Sequence, residues 1–244
     1  MQGIFYGVGV GPGDPELMTL KAVRVLAQAD VVIAPKTEKK EGSVAFDIAK
    51  PYLKKDIQVA YQVFPMVKNF AVDSVDAWEK NTREILSFLQ VGKKVVFLTL
   101  GDPMFYSTYI YIFQRLTVAG ATIETVPGVP AFAAIGAKLG YPVAEGDEIL
   151  AVIPATAPPT KIKAALQATD NAVLMKVYKN FPAVVELLEQ EGMAKDSILV
   201  SRLGLPEERC LRDITEGRRE KLNYLSTILC RRQRNAADDI GKEE

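Results

Sequence analysis

The stretch KVVFLTLGDPMFYSTYIYIF, residues 94–113, decides the fold. Its first seven residues, KVVFLTL, are a β-branched and apolar run with the composition of a strand. Gly101-Asp102-Pro103 then ends that strand, because glycine and an Asp-Pro pair favour a turn. The residues that follow, Tyr109, Tyr111 and Phe113 among them, read as the aromatic face of a helix packed into a core. A strand followed by a turn and a helix is the repeating unit of a parallel α/β sheet.

The alternation continues on both sides. IFYGVGV at 4–10, VVIA at 31–34 and QVAYQVF at 58–64 are further strand candidates. Between them Leu20, Val23, Leu26 and Ala27 share one helical face, and Val75, Trp78, Thr82, Ile85, Leu86 and Leu89 repeat the spacing. ATIETVPGVPAF changes the texture: a strand over 122–126 runs into Pro-Gly-x-Pro before AFAAIGAKLG resumes a helical period. A domain boundary is expected there. In the second half EILAVIP, NAVLMKV, SILVSRL, RCLRDI and YLSTILC are strand candidates, with helices expected over 160–168 and 182–191. The late strands leave little room for intervening helices, which predicts antiparallel pairing at the end of a mixed sheet. The expected organisation is an N-terminal α/β domain over 1–124, a C-terminal α/β domain with a mixed sheet over 125–232, and a flexible tail over 233–244, where no apolar period remains.

Composition narrows the chemistry. The 244 residues include 30 basic and 30 acidic side chains and are 48% hydrophobic, which argues against wholesale disorder and against a polyanion binder driven by net charge. No nucleic-acid partner is expected. No apolar run reaches the ~18 residues of a membrane span, and MQGIFYGVGVGPGD lacks the basic start and small-residue cleavage site of a signal peptide, so a cytoplasmic protein is expected. Histidine is absent, which removes Ser-His-Asp and Cys-His nucleophilic chemistry and nearly every zinc or haem ligand set. Cys210 and Cys230 lack CxxC spacing and read as free thiols, and no bound metal is expected. An enzyme built from this chain must work through positioning, backbone groups, carboxylates, lysines, tyrosines or a reactive cosubstrate.

GVGVGPGD at 7–14 follows a strand, as a dinucleotide fingerprint would. The GxGxxG spacing fails in every register, because the last position falls on Pro12, Asp14 or Glu16. Pro12 also removes a backbone N–H from a loop that would have to donate to phosphate. Two readings stand: a loop presenting carbonyl oxygens to a cationic or neutral ligand, and a strand-to-helix turn whose glycines serve packing, with Asp14 or Thr19 as helix caps. Gly101 and Asp102 stand at the carboxyl end of a strand, the usual place for a ligand crevice in an open α/β sheet.

Four blocks, GVGVGPGDPELMTLKA, GDPMFYSTY, TVPGVPAFAA and LMKVYKN, occur in this order and resemble the tetrapyrrole methylases, from about residue 3 to about residue 230. The GDPMFYST string with PGVPAF is most similar to the branch that methylates C20 of precorrin-2 or cobalt-factor II in corrin biosynthesis. The resemblance implies two α/β domains with a cosubstrate cleft between them, a homodimer, S-adenosylmethionine as methyl donor and a tetrapyrrole as acceptor. It implies cosubstrate contacts at Pro12, at Leu100, Gly101 and Asp102, at Phe105 and Tyr106, at Pro130 and Ala131, at Met175 and at Leu203. An acceptor rich in carboxylates needs local donors, for which Lys36, Lys176 and Arg202 are candidates beside their alternative reading as solvated charges. Related uroporphyrinogen methylases carry an aspartate after the strand VVIA where this chain has Pro35, so no catalytic base is assigned. A uroporphyrinogen-III C-methyltransferase of sirohaem synthesis is the alternative within the family, and a noncatalytic nucleotide-binding module the alternative outside it.

Overall fold

The computed structural model describes residues 2–36, 42–64, 72–218 and 220–232, with the backbone alone for 72–75. The described residues form two compact units, divided between Pro130 and Ala131. The tail expected over 233–244 lies outside the described residues.

The first unit holds β1 (Ile4–Gly9), β2 (Val31–Lys36), β3 (Gln58–Val63), β4 (Lys94–Thr99) and β5 (Thr122–Val126). They form one sheet in the order β3-β2-β4-β1-β5, parallel throughout. The connecting helices are α1 (Leu20–Gln28), α2 (Val44–Ala49), α3 (Val72–Gln90) and α4 (Tyr109–Val118). Thr19 caps α1 by accepting from the Ala22 N–H at 3.2 Å, and Asp14 caps the short 3-10 turn before it by accepting from the Glu16 N–H at 2.9 Å. Phe5, Ile33, Val95 and Phe97 from one sheet face pack with Trp78, Ile85 and Leu89 of α3 and Tyr109, Ile112 and Leu116 of α4. The core reading of Tyr109 therefore holds, and its hydroxyl meets Thr125 Oγ1 at 2.6 Å. The chain leaves β1 for β2, beyond β4, and leaves β4 for β5, beyond β1. Adjacent β1 and β4 thus send their connections to opposite sides, the arrangement that opens a crevice at their carboxyl ends.

The units divide between Pro130 and Ala131, six residues beyond the 124/125 boundary expected from the sequence. β5 stays paired with β1 through Val126, opposite Val8. The change in sequence texture marks the end of a strand, whereas the edge of the unit is set by pairing with a strand more than a hundred residues away.

The second unit opens with α5 (Ala131–Leu139) and continues through β6 (Leu150–Pro154), α6 (Pro159–Gln167), β7 (Asn171–Met175), α7 (Phe181–Gln190), β8 (Ile198–Ser201), β9 (Arg209–Leu211) and β10 (Ser226–Arg231). The sheet order is β6-β7-β10-β8-β9. β6 and β7 are parallel, while β10 runs antiparallel to β7 and β8, and β9 antiparallel to β8, as the crowded late strands predict. Ile162 and Leu166 of α6 and Phe181, Val184, Val185 and Leu188 of α7 bury one sheet face.

The two thiols differ in environment. Cys210 is exposed, whereas Cys230 is buried, donates to the Ala172 carbonyl at 3.2 Å and has its thiol pushed up to about 12 by burial. Thiolate is the reactive form. A disulfide-exchange reagent at pH 8 is expected to titrate one thiol per native chain and two in guanidinium; two fast thiols in the native protein would contradict this packing of β10.

Candidate functional site

Because β1, β4 and β5 are neighbours, the loops after them meet at one edge of the first sheet. The Val10 N–H donates to the Thr99 carbonyl at 2.9 Å and the Gly101 N–H to the Gly11 carbonyl at 2.8 Å, which ties the first two loops together. Three glycines allow this closeness. A Cβ on Gly9 would lie 2.6 Å from the Gly101 carbonyl oxygen and 2.6 Å from Gly128 backbone atoms, and one on Gly128 would overlap the same oxygen. Gly7 instead leaves room for the Tyr109 ring, whose hydroxyl oxygen would stand 2.6 Å from a Cβ there. Gly7 and Gly9 thus both serve packing, the one against a side chain and the other against neighbouring backbone.

Asp102 joins the third loop to the second. Its Oδ1 accepts from the Met104 N–H at 2.8 Å and its Oδ2 from the Gly128 N–H at 3.0 Å. The residue expected to accept from a cosubstrate is first of all a clamp between the tips of β4 and β5, with each oxygen already engaged by a backbone donor. One polar atom at this edge is left over: Thr99 Oγ1, on the last residue of β4, is buried and has no hydrogen-bond partner. An orphaned hydroxyl costs about 1–3 kcal/mol unless water or a ligand meets it.

The remaining expected contacts fall on the same edge. Pro12 is buried in the loop after β1, and Leu100, Gly101 and Phe105 are half-buried in the loop after β4. Tyr106 has a left-handed backbone, φ 48°, and is 41% exposed, its ring set at 60° to that of Phe105. Met104 is exposed beside it. Pro130 ends the loop after β5, and Ala131 begins α5. Lys36 is the last residue of β2, opposite Val63 of β3.

In the second unit β6, β7 and β8 end at one sheet edge. Met175 closes β7 and is half-buried, while Leu203 is buried two residues beyond β8. Lys176 and Arg202 each follow the end of a strand, and both have left-handed backbones, φ 60° and 57°. The Arg202 Nε donates to the Pro206 carbonyl at 2.7 Å, so part of its guanidinium holds its own loop. Among the described residues no three His, Cys, Asp or Glu side chains are grouped so as to hold a metal ion.

The tetrapyrrole (corrin/porphyrin) methylase family model matches residues 5–216, which include every strand-end loop described above. The chain belongs to that family. The cobalt-precorrin-2 C(20)-methyltransferase of Salmonella typhimurium is 38% identical over 234 residues, covering 96% of this chain and 98% of that protein. The precorrin-2 C(20)-methyltransferase of a Sinorhizobium species is 30% identical, over 93% of this chain and 94% of its own. Among solved structures, a cobalt precorrin-4 methyltransferase superposes with a TM-score of 0.75 at 23% identity, covering 93% of this chain and 94% of that one. The uroporphyrin-III C-methyltransferase of Thermus thermophilus, complexed with S-adenosylhomocysteine, superposes with a TM-score of 0.68 at 24% identity, over 93% of this chain and 97% of that one. These two likenesses establish the fold.

Three features of this methylase escape a reading of the sequence alone. Gly128 and Gly9 matter through mutual contact, Thr99 through what its hydroxyl lacks, and Tyr106, Lys176 and Arg202 through a backbone conformation that their residue types do not advertise. Gly128 could have been found, because it lies within the PGVP block. Pro35 pairs in register with Gln62, which is buried and donates to Glu84 at 3.0 Å. Neither side chain can take up a proton as a general base at neutral pH.

Proposed function

We propose that this methylase transfers a methyl group from S-adenosylmethionine to C20 of precorrin-2 or its cobalt form in corrin biosynthesis. The observation that carries the reading is the 38% identity to the Salmonella cobalt-precorrin-2 C(20)-methyltransferase over nearly the full length of both chains. The same relative favours the cobalt-containing acceptor over the metal-free one, as does a Methanocaldococcus jannaschii protein named as a probable enzyme of that kind, at 31% identity. The uroporphyrinogen alternative has weaker support: the chloroplast enzyme of Arabidopsis thaliana is 28% identical over 85% of this chain and 56% of its own. The reading includes a homodimer in the cytoplasm. Among the described residues no helix is long and apolar enough to cross a membrane.

The residues fit such a donor. The first sheet's edge offers exposed apolar side chains on Met104 and Tyr106 and closely joined backbone loops. In this reading Pro12, Leu100, Gly101, Phe105, Tyr106 and Pro130 are donor contacts on the first unit, and Ala131, Met175 and Leu203 are contact candidates on the second, each taken from the resemblance. Asp102 keeps the loops in place. When bound, the sulfonium supplies an already activated methyl group, so the protein's share is alignment of donor and acceptor and exclusion of water. A meso carbon in a conjugated enamine-like system is itself nucleophilic, which suits a chain without histidine and with proline at position 35.

Carbon NMR of the product formed with a 13C-labelled methyl donor tests the assignment. The label is expected at C20, with the cobalt-loaded acceptor turned over faster than the metal-free one. A label at C2 or C7 makes this a uroporphyrinogen methylase, and binding of the donor without transfer to any tetrapyrrole makes it a binding module.

A further inference from the structure

Left-handed backbone is disfavoured for side chains other than Gly, Asn and Asp. Among the described residues four others adopt it, Tyr106, Lys176, Arg202 and Glu207, in the loops that follow β4, β7 and β8, the last two sharing one loop. Residues held in sparsely populated conformations cluster at functional sites, where the surrounding structure maintains them. If only the turn mattered at positions 176 and 202, glycine would serve better. The chain places a cation at both.

The second sheet brings these cations to one edge. β7 and β8 both run antiparallel to β10, with Met175 opposite Thr227 and Ser201 opposite Ser226. The ends of β7 and β8 therefore flank the start of β10, two strand spacings or roughly 10 Å apart. Tyr224 lies in the turn that enters β10. The Arg202 N–H donates to the Leu225 carbonyl at 2.9 Å, next to Tyr224 in the chain, and the Tyr224 ring meets that of Tyr178 edge-on, with centroids 6.5 Å apart. Tyr178 is two residues from Lys176, so the Tyr224 ring packs beside the loop after β7 while its neighbour Leu225 binds the loop after β8. Burial raises the Tyr224 phenol and the Arg202 charge opposes that rise, so the hydroxyl is a donor at neutral pH. The Arg202 Nε donates to the Pro206 carbonyl and has Glu207 Oε2 3.9 Å away at an exposed carboxylate, so it is held within its own loop, and its two Nη groups are further donors.

We propose that Lys176, Arg202 and Tyr224 together form the part of the acceptor site that takes the carboxylates of the tetrapyrrole's acid side chains. This rests on the methylase reading above. It selects two of the three candidate cations, because only they combine a strand end with an enforced left-handed backbone, and it adds a tyrosine that no sequence motif marks.

Lys176→Gly and Tyr224→Phe test the site. The first relieves the backbone, and the second keeps the ring packed on Tyr178 while removing the hydroxyl. Steady-state methyl transfer to cobalt-loaded precorrin-2, calorimetric binding of S-adenosylhomocysteine and thermal melting are measured on both variants and on the wild type. The acceptor KM is expected to rise roughly tenfold for Lys176→Gly and severalfold for Tyr224→Phe, as for loss of a charge-assisted hydrogen bond. Melting is held or raised for Lys176→Gly, and S-adenosylhomocysteine affinity stays within twofold for both. A merely structural role would instead move melting. Wild-type turnover with acceptor KM unchanged in both variants overturns the carboxylate site while leaving the function standing, as does a loss confined to S-adenosylhomocysteine affinity. A wild type that transfers no methyl group to a tetrapyrrole overturns both.

Discussion

Gly128→Ala is expected to abolish measurable binding of S-adenosylhomocysteine and to lower the melting temperature by many degrees. A Cβ at this position would overlap the Gly101 carbonyl oxygen and lie 2.8 and 2.9 Å from Gly9 Cα and C. All three obstacles are backbone atoms, which cannot rotate away as a side chain can, so a loop must move. Overpacking of this kind costs about 1–3 kcal/mol. Displacement of the loop also breaks the Gly128 N–H to Asp102 bond of 3.0 Å, a hydrogen bond to a charged group worth about 1.5–3 kcal/mol. Together these effects take away a large share of a typical stability of about 5–15 kcal/mol, and they act on the loops proposed to hold the donor. Gly42→Ala is the control, because a Cβ there meets nothing within 4 Å. A Gly128→Ala protein with native melting and affinity within twofold of wild type would mean that the three strand-end loops do not meet as described.

Asp102→Ala is expected to weaken S-adenosylhomocysteine binding by about 1–3 kcal/mol and to lower stability by a similar amount, because the Met104 and Gly128 N–H groups both lose their acceptor. Asp102→Asn is expected to lie close to alanine. An amide can present its oxygen to only one of the two N–H donors and turns its own N–H₂ toward the other. Parallel loss of melting temperature and affinity in both variants identifies a clamp. Loss of affinity with unchanged melting would instead mean that the carboxylate acts on the ligand directly.

Much of this could be read from the residues in order. The strands of the first sheet are dense in β-branched and apolar side chains, α1 and α3 carry an apolar stripe, and the missing histidines limit the chemistry wherever the chain folds. The mixed second sheet was legible from the short spacing of its late strands. α2 was not, because six residues span fewer than two turns and show no periodicity to read. The candidate site was legible as a set of motifs, since the loops that carry it are continuous in sequence.

The sequence by itself determined the α/β class, the order of strands and of the longer helices, the exclusion of histidine and dinucleotide-fold chemistry, and the blocks that mark a methylase, all of which depend on residue type and local spacing. Tertiary structure alone decided that the first unit ends after Pro130, that Gly7 makes way for Tyr109 while Gly9 and Gly128 make way for each other and for Gly101, that Asp102 is a clamp, and that Lys176 and Arg202 face one edge with left-handed backbones. Each of these is set by atoms brought together from distant positions. Close approach and enforced conformation belong to the packed chain, and local propensity carries no record of them.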